Sequence, residues 1–204
     1  NGVRKPPNFV PLPPVEHMLP RDLDPDLALA ACCRIVPDKR IEFLIDVMKI
    51  LETRSPGSSL TIAGGADFQS QDYFEQICRY RDEAGVKNVF LAGWQDDVMP
   101  LLAQCPIFVM ISDRQGCPNA SLEAMAMGRP VIANRSGGVE EQIEDGVNGF
   151  LIDTPEEMAE RVLTLQNDKR LLRKMGRAAR SKALSRFSLG AMVARYVRLL
   201  DGEN

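Results

Sequence analysis

The sequence predicts an α/β fold: a doubly wound, parallel sheet of six strands with helices on both faces and a helical carboxyl-terminal tail. Three observations predict it. Short apolar runs lack the alternation of a one-sided sheet, so each strand is buried on both faces. Segments of helical periodicity separate those runs. Glycine, proline or a polar cluster punctuates nearly every change from one to the other. Strand and helix in strict alternation call for crossover units and a covered parallel sheet.

The elements follow in order. "LALAACCRIV" (27–36) reads as the first strand. "DKRIEFLIDVMKILETR" (38–54) places Ile41, Leu44, Ile45, Met48 and Leu51 on one helical face. "SLTIAGG" (59–65) is a strand ending in glycines, and "QSQDYFEQICRYRDEAG" (69–85) a helix closed by Gly85. "NVFLAG" (88–93) is the third strand, followed by "DDVMPLLAQC" (96–105), a short helix with a bend expected at Pro100. "IFVMIS" (107–112) is the fourth strand. "PNASLEAMAM" (118–127) is a helix with proline in its first turn and Gly128 past its end. "PVIAN" (130–134), "GVEEQIE" (138–144) and "NGFLID" (148–153) complete the series as strand, short helix and strand. Helices fill the remainder, with breaks expected near Gly176 and Ser185–Ser188. Residues 1–26 contain seven prolines and read as a linker between domains, leaving 27–204 as one Rossmann-like domain.

Bulk properties exclude several classes of function. Among 204 residues, 45% are hydrophobic and 26% charged, as in ordinary globular domains. A net charge of −3 argues against a nucleic-acid binder driven by phosphate neutralisation. The five cysteines fit no zinc spacing; they read as small core hydrophobes in a reducing, cytoplasmic setting. His17 is the only histidine, which argues against a histidine triad or metal cluster. No apolar run approaches the ~18 residues of a membrane span, and no signal peptide is evident. The opening "NGVRKPP", without methionine, reads as the start of a fragment or a processed product.

Ligands of open parallel sheets bind beyond the carboxyl ends of the strands. The first such loop, "CRIVPDKR", lacks both the glycine-rich dinucleotide fingerprint and the phosphate-loop pattern. It carries Arg34 and Lys39 instead, a fork and a point charge suited to a diphosphate. Taken alone they read more readily as ordinary surface charges beside Asp38 and Arg40.

The loop after the fourth strand, "SDRQGCPNASLEAMAMG", holds Gly116, which lets backbone approach a ligand, and Pro118, which opens a helix whose free N–H groups favour an anion. Glu123 lies on the helix face shared with Asn119 and Ala120, among apolar neighbours. A carboxylate there needs partners, and a vicinal diol such as a ribose supplies two O–H donors. A solvent-facing Glu123, or one paired with Arg129, is the plainer alternative. Gly64, Gly65, Gly137 and Gly138 suit either close phosphate approach or simple turns. Trp94, the single tryptophan, is placed to flank a base or to pack the sheet rim. The run 169–186 has eight cations and no acid, a surface an anionic membrane would attract and more often a solvated helix face.

Together these loops resemble the donor-binding, carboxyl-terminal domain of retaining glycosyltransferases of the GT-B fold, family 4 (glycosyltransferase group 1). "NGV" is similar to the interdomain passage of that family, and "CRIVPDKR" to its Gly-Arg…Lys loop. "QGCPNASLEAMAMGRPVIA" resembles its E-x7-E block, and "SGGVEEQIEDGVNGFL" the glycine-rich block that follows. The resemblance implies transfer of a sugar from a UDP-, GDP- or ADP-linked donor to a carbohydrate, lipid or small-molecule acceptor, without a metal cofactor. The acceptor would be held by an amino-terminal domain that this chain lacks, so the fragment alone would be nearly inactive. It implies that Arg34 and Lys39 stabilise the pyrophosphate and that Glu123 holds the ribose. Gly116, Cys117 and Pro118 would contact the sugar and distal phosphate, Gly64 and Gly65 would lie near the donor, and the loop with Gly93, Trp94 and Asp96 would face the base. Two positions depart from the pattern. Gln115 stands where the first glutamate belongs, losing a charge but keeping a carbonyl acceptor. Cys33 stands where glycine precedes the arginine. A degenerate sugar-nucleotide-binding module, and an epimerase or phosphorylase on the same fold, are the alternatives. The expected location is cytoplasmic, with the basic run as a peripheral membrane contact.

Overall fold

The computed structural model describes residues 28–66, 68–114 and 116–201. The proline-rich segment 1–26, His17 and Gln115 lie outside the described residues. All six strands form one parallel sheet: β1 (Ala28–Cys32), β2 (Ser59–Ala63), β3 (Val89–Gly93), β4 (Ile107–Met110), β5 (Val131–Asn134) and β6 (Gly149–Ile152). Their order is β3-β2-β1-β4-β5-β6, so the winding reverses between β1 and β4. The crevice at that reversal is where a doubly wound sheet receives its ligand.

Period-two alternation within the strands feeds two cores. Leu29, Ala31, Ile107, Val109 and Ile132 pack on one face with α1 (Ile41–Arg54), α2 (Gln71–Glu83) and α6 (Pro155–Asn167). Ala30, Phe108, Val131 and Ala133 pack on the other with α3 (Met99–Gln104), α4 (Asn119–Ala126), α5 (Val139–Gln142) and α7 (Lys169–Phe187). Both faces are covered, which explains the near-continuous apolar strands. α8 (Leu189–Leu200) follows α7 and leaves Leu189, Val193, Val197 and Leu200 exposed.

Several expected boundaries move. β1 stops at Cys32 rather than Val36; the Cys33 and Ile35 N–H groups still donate across to Ala63 and Gly65, but the chain then bends into a 3-10 turn at Pro37–Lys39. Arg34 therefore stands in the crevice, not inside a strand. Pro100 does not bend α3. It occupies the first turn, where its missing N–H costs no helical bond. Gly176 does not break the tail helix. It is buried inside α7, and a Cβ there would sit 2.2 Å from the Gly128 carbonyl oxygen. That glycine serves close packing of α7 over the end of α4. One break not expected from the sequence falls at Asp168, whose carboxylate accepts from the Arg170 and Leu171 N–H groups; the break expected at Ser185–Ser188 falls at Ser188, whose hydroxyl accepts from the Ala191 N–H.

Candidate functional site

A cleft of about 550 Å³ opens at the carboxyl ends of β1 and β4. Cys32, Cys33, Arg34 and Lys39 line it from the β1 loop, Met110 and Ile111 from β4, Pro118, Asn119 and Ala120 from the start of α4, and Trp94 from the β3 loop. The structure thus brings Arg34, Lys39, Pro118 and Trp94 into one cavity.

The β1 loop is fixed to the β4 loop across the winding reversal. The Lys39 ammonium donates to Ser112 Oγ at 3.2 Å, and the Asp113 N–H donates to the Asp38 carbonyl at 2.9 Å. Arg40, between the 3-10 turn and α1, is the only non-glycine residue described with a positive φ, at +43°. Its guanidinium lies over the Phe43 ring and 3.5 Å from Asp113. Lys39, just before this position, lines the crevice. Burial pulls the Lys39 ammonium below its usual range, and the adjoining Arg34 charge pulls the same way. Two cations held this close favour an anion between them.

The opposite wall is built from backbone. Pro118 in extended geometry opens α4, so the first amides of the helix lack intrahelical partners and point at the cleft end of the helix. Gln142, fully buried on α5, donates to the Pro118 carbonyl at 3.1 Å and to Cys117 Sγ at 3.2 Å, and shares a hydrogen bond with the Ser121 hydroxyl. The Gly138 N–H donates to the Gly116 carbonyl at 3.0 Å, and a Cβ on Gly138 would lie 2.3 Å from that oxygen. At the end of β5, Asn134 exchanges two hydrogen bonds with the Ser112 backbone. Ser112, Asn134 and Gln142 were not legible as site residues in the sequence. A polar residue closing an apolar strand was the available signal for Asn134.

Glu123 is half-buried, one turn beyond Ala120. Desolvation raises its carboxyl above the usual range, and the Asp97 charge adds to the rise. Its field also reaches Cys32 at the end of β1. Glu123 is not among the residues that line the cleft, although Asn119 and Ala120 of the same helix are. It does not pair with Arg129, whose buried guanidinium donates to the Leu102 and Ala103 carbonyls at 2.9 and 3.0 Å. Of the plainer readings, the pairing with Arg129 is excluded, whereas Glu123 keeps part of its surface in solvent.

Gly64 has a different role from phosphate approach. Its φ is +133°, and a Cβ would fall 1.8 Å from the Cys33 carbonyl oxygen, so it is a backbone-on-backbone seam between the β1 and β2 loops. Gly65 lies beside the Trp94 backbone. Gly93, with φ +70°, turns the chain out of β3, and Trp94 and Asp96 follow on the exposed loop. Gly116 and Cys117 form the turn before α4. Only Cys105 of the five cysteines is fully buried. Cys32 and Cys33 border the cleft, with thiols that burial pushes up to about 12 and about 11, which favours the protonated form at neutral pH. Among the described residues, no group of three or more His, Cys, Asp or Glu side chains is arranged to hold a metal ion, and no helix is long and apolar enough to cross a membrane.

Comparison with known proteins agrees with this architecture. The lipopolysaccharide core biosynthesis glycosyltransferase LpsE of Rhizobium meliloti strain 1021 is 31% identical over 169 residues, 82% of this chain and 47% of its own length. The poly(ribitol-phosphate) alpha-N-acetylglucosaminyltransferase of Staphylococcus aureus strain COL is 26% identical over 198 residues, 95% of this chain and 38% of its own. The crystal structure of Anabaena HepE in complex with UDP superposes with a TM-score of 0.81 at 26% identity, covering 86% of this chain and 49% of HepE. The chain spans about half the length, or less, of the relatives it matches. The sequence pattern of the family described as glycosyl transferases group 1 matches residues 27–168. The match over residues 27–168, together with the likeness of fold, means that the chain belongs to the glycosyl transferases group 1 family.

Proposed function

We propose that this chain is the donor-binding half of a retaining glycosyltransferase, which takes a sugar from a nucleoside diphosphate carrier and passes it to an acceptor held elsewhere. The observation that carries the proposal is the single cleft in which Arg34 and Lys39 face the opening turn of α4. A diphosphate fits between them: side-chain cations on one wall, free backbone amides and the positive helix end on the other. As the sugar–phosphate bond breaks, negative charge gathers on the leaving diphosphate. Fixed cations aimed at that charge stabilise the transition state more than the bound donor, and so accelerate the step. Glu123 accepts from the ribose hydroxyls. Gly116 and Cys117 face the sugar and distal phosphate, and the loop from Gly93 to Asp97 faces the base.

In this reading charge neutralisation falls to the protein, and no metal is required. Gln115 takes the place of an orienting carboxylate beside the donor sugar, contributing a carbonyl acceptor without charge. Expected context is the cytoplasm, with the basic face of α7 as a peripheral contact with anionic lipid. HepE, solved with UDP, supports a nucleoside diphosphate as the ligand class.

Titration calorimetry with UDP, GDP and ADP, in buffer containing EDTA, tests the proposal. At least one should bind, with affinity unchanged by the chelator. A folded chain that binds none of the three would overturn it. The loss of charge at Gln115 favours a second reading, a sugar-nucleotide-binding module without turnover. Gln115→Glu in a chain that carries the acceptor half separates the two: a large gain in transfer marks lost competence, whereas a fall marks glutamine as the working residue.

A further inference from the structure

Lys39 is the half-buried cation of the cleft, and it is moored through the ends of two strands. The last backbone pair between β4 and β5 is Met110 with Ala133. Beyond it the Asn134 side chain continues the ladder. Its Oδ1 accepts from the Ser112 N–H at 3.0 Å, and its Nδ2 donates to the Ser112 carbonyl at 2.9 Å. Ser112 is fully buried, and its hydroxyl donates to the Arg114 carbonyl at 3.0 Å. With its one proton committed there, Ser112 Oγ meets the lysine as an acceptor, and the Lys39 ammonium donates to it at 3.2 Å.

This arrangement has two physical effects. A lysine head is a point charge with three donors on a flexible four-carbon stem. One bond to a buried, anchored oxygen sets the direction of the other two donors and removes part of the ordering cost from ligand binding. The acceptor is also neutral. A carboxylate in its place would offset the positive charge that an anion needs. The one carboxylate of this loop, Asp113, lies instead 3.5 Å from the Arg40 guanidinium.

We propose that Ser112 is a positioning residue for the diphosphate of the donor: it aims the Lys39 ammonium into the cleft without neutralising it, and Asn134 holds Ser112 in place to do so. This rests on the nucleotide-sugar reading above.

The test compares wild-type chain with Ser112→Ala, Ser112→Thr, Asn134→Ala, Lys39→Ala and the Ser112→Ala/Lys39→Ala double variant. Inorganic pyrophosphate, UDP and uridine are the probes. Ser112→Ala should weaken pyrophosphate and UDP by a common factor of about ten and leave uridine unchanged. Ser112→Thr keeps the hydroxyl and should recover most of the loss. Asn134→Ala should act in the same direction, by about threefold. In the Lys39→Ala background, Ser112→Ala should cost nothing further, because the group it aims is gone. An equal pyrophosphate loss in both backgrounds would make Ser112 a purely structural residue and overturn the proposal. Wild-type affinity in Ser112→Ala would do the same. Should a Ser112 variant fail to fold, the same cycle run with Asn134→Ala decides: its effect must vanish in the Lys39→Ala background. If the wild type binds neither pyrophosphate nor UDP, the donor-site reading itself has failed. If it binds both, and Lys39→Ala weakens them while Ser112→Ala does not, the positioning role alone has.

Discussion

The two walls of the cleft are built on opposite principles. The α4–α5 wall is backbone held by buried polar bonds: Gln142 alone joins Pro118, Cys117 and Ser121, and Gly138 lies directly on Gly116. The β1–β3 wall presents side chains, with Arg34 and Trp94 largely exposed and Lys39 half-buried. Amides aimed at an anion cannot adjust one by one, so the segment that carries them must be rigid before the ligand arrives. The cations and the ring are held by side-chain bonds, as Lys39 is by Ser112 and Trp94 by Asp96, and each can be replaced without disturbing the backbone beneath it. Changes on the first wall should therefore appear as lost stability. Changes on the second should appear as lost binding in a protein that folds normally.

The most severe challenge to this contrast is Gly138→Ala. The added methyl meets a backbone carbonyl that has no free rotation with which to yield, and a cost of about 3 kcal/mol or more is expected in denaturant unfolding. A neutral result would show that the seam is loose and the wall adaptable. Gln142→Leu comes next, at about 1–2 kcal/mol, because it removes the amide's bonds to Pro118, Cys117 and Ser121, while Ser121 Oγ still donates to the Pro118 carbonyl at 3.0 Å. Arg34→Ala sharpens the other side of the contrast. Its unfolding free energy should stay within about 0.5 kcal/mol of wild type. Nucleoside diphosphate affinity should fall about tenfold or more, and nucleoside affinity far less. Equal loss for both ligands would remove Arg34 from the diphosphate.

Glu123→Gln has the smallest effect on stability and a definite sign. Burial raises the folded-state carboxyl above its value in the unfolded chain. Between those two values the folded state binds more protons, so stability falls as pH rises through the window, and the ionised group opposes folding above it. The glutamine variant should be slightly more stable than wild type at neutral pH. That advantage should vanish as pH falls below the ordinary carboxylate range. Binding of nucleotide should weaken in the same variant, since one charged acceptor for the ribose becomes a neutral one. Parallel stability curves across pH would mean that Glu123 is solvated.

Much of this was legible in the sequence, and the remainder was hidden for identifiable reasons. Apolar runs with helical segments between them give the order of elements, because burial on both faces leaves no other pattern. The place of Lys39 after the first strand and of Glu123 in α4 follows from local signals, whereas Arg34 is expected inside a strand that in fact ends at Cys32. Gly176 shows where local reasoning stops. A glycine within a helical pattern reads as a break, but its cause is the Gly128 carbonyl, 48 residues away in the chain and 2.2 Å from where its Cβ would be. Gln142 is similar: on its own helix it looks like surface, and only the packing of α5 over the start of α4 makes it a buried clamp. Arg40 gives no sequence signal at all, since nothing about an arginine announces a left-handed backbone.

The central claim is that a nucleoside diphosphate lies in the crevice between β1 and β4. Amide chemical-shift mapping during a UDP titration tests it residue by residue. The largest changes should fall on Cys33–Lys39, on Cys117–Ala120 at the start of α4, and on Gly93–Asp97. A second hollow of about 430 Å³, lined by Arg81, Lys87 and Phe90 at the β3 edge, should stay silent. Shifts gathered in that hollow, with the crevice unchanged, would contradict the claim.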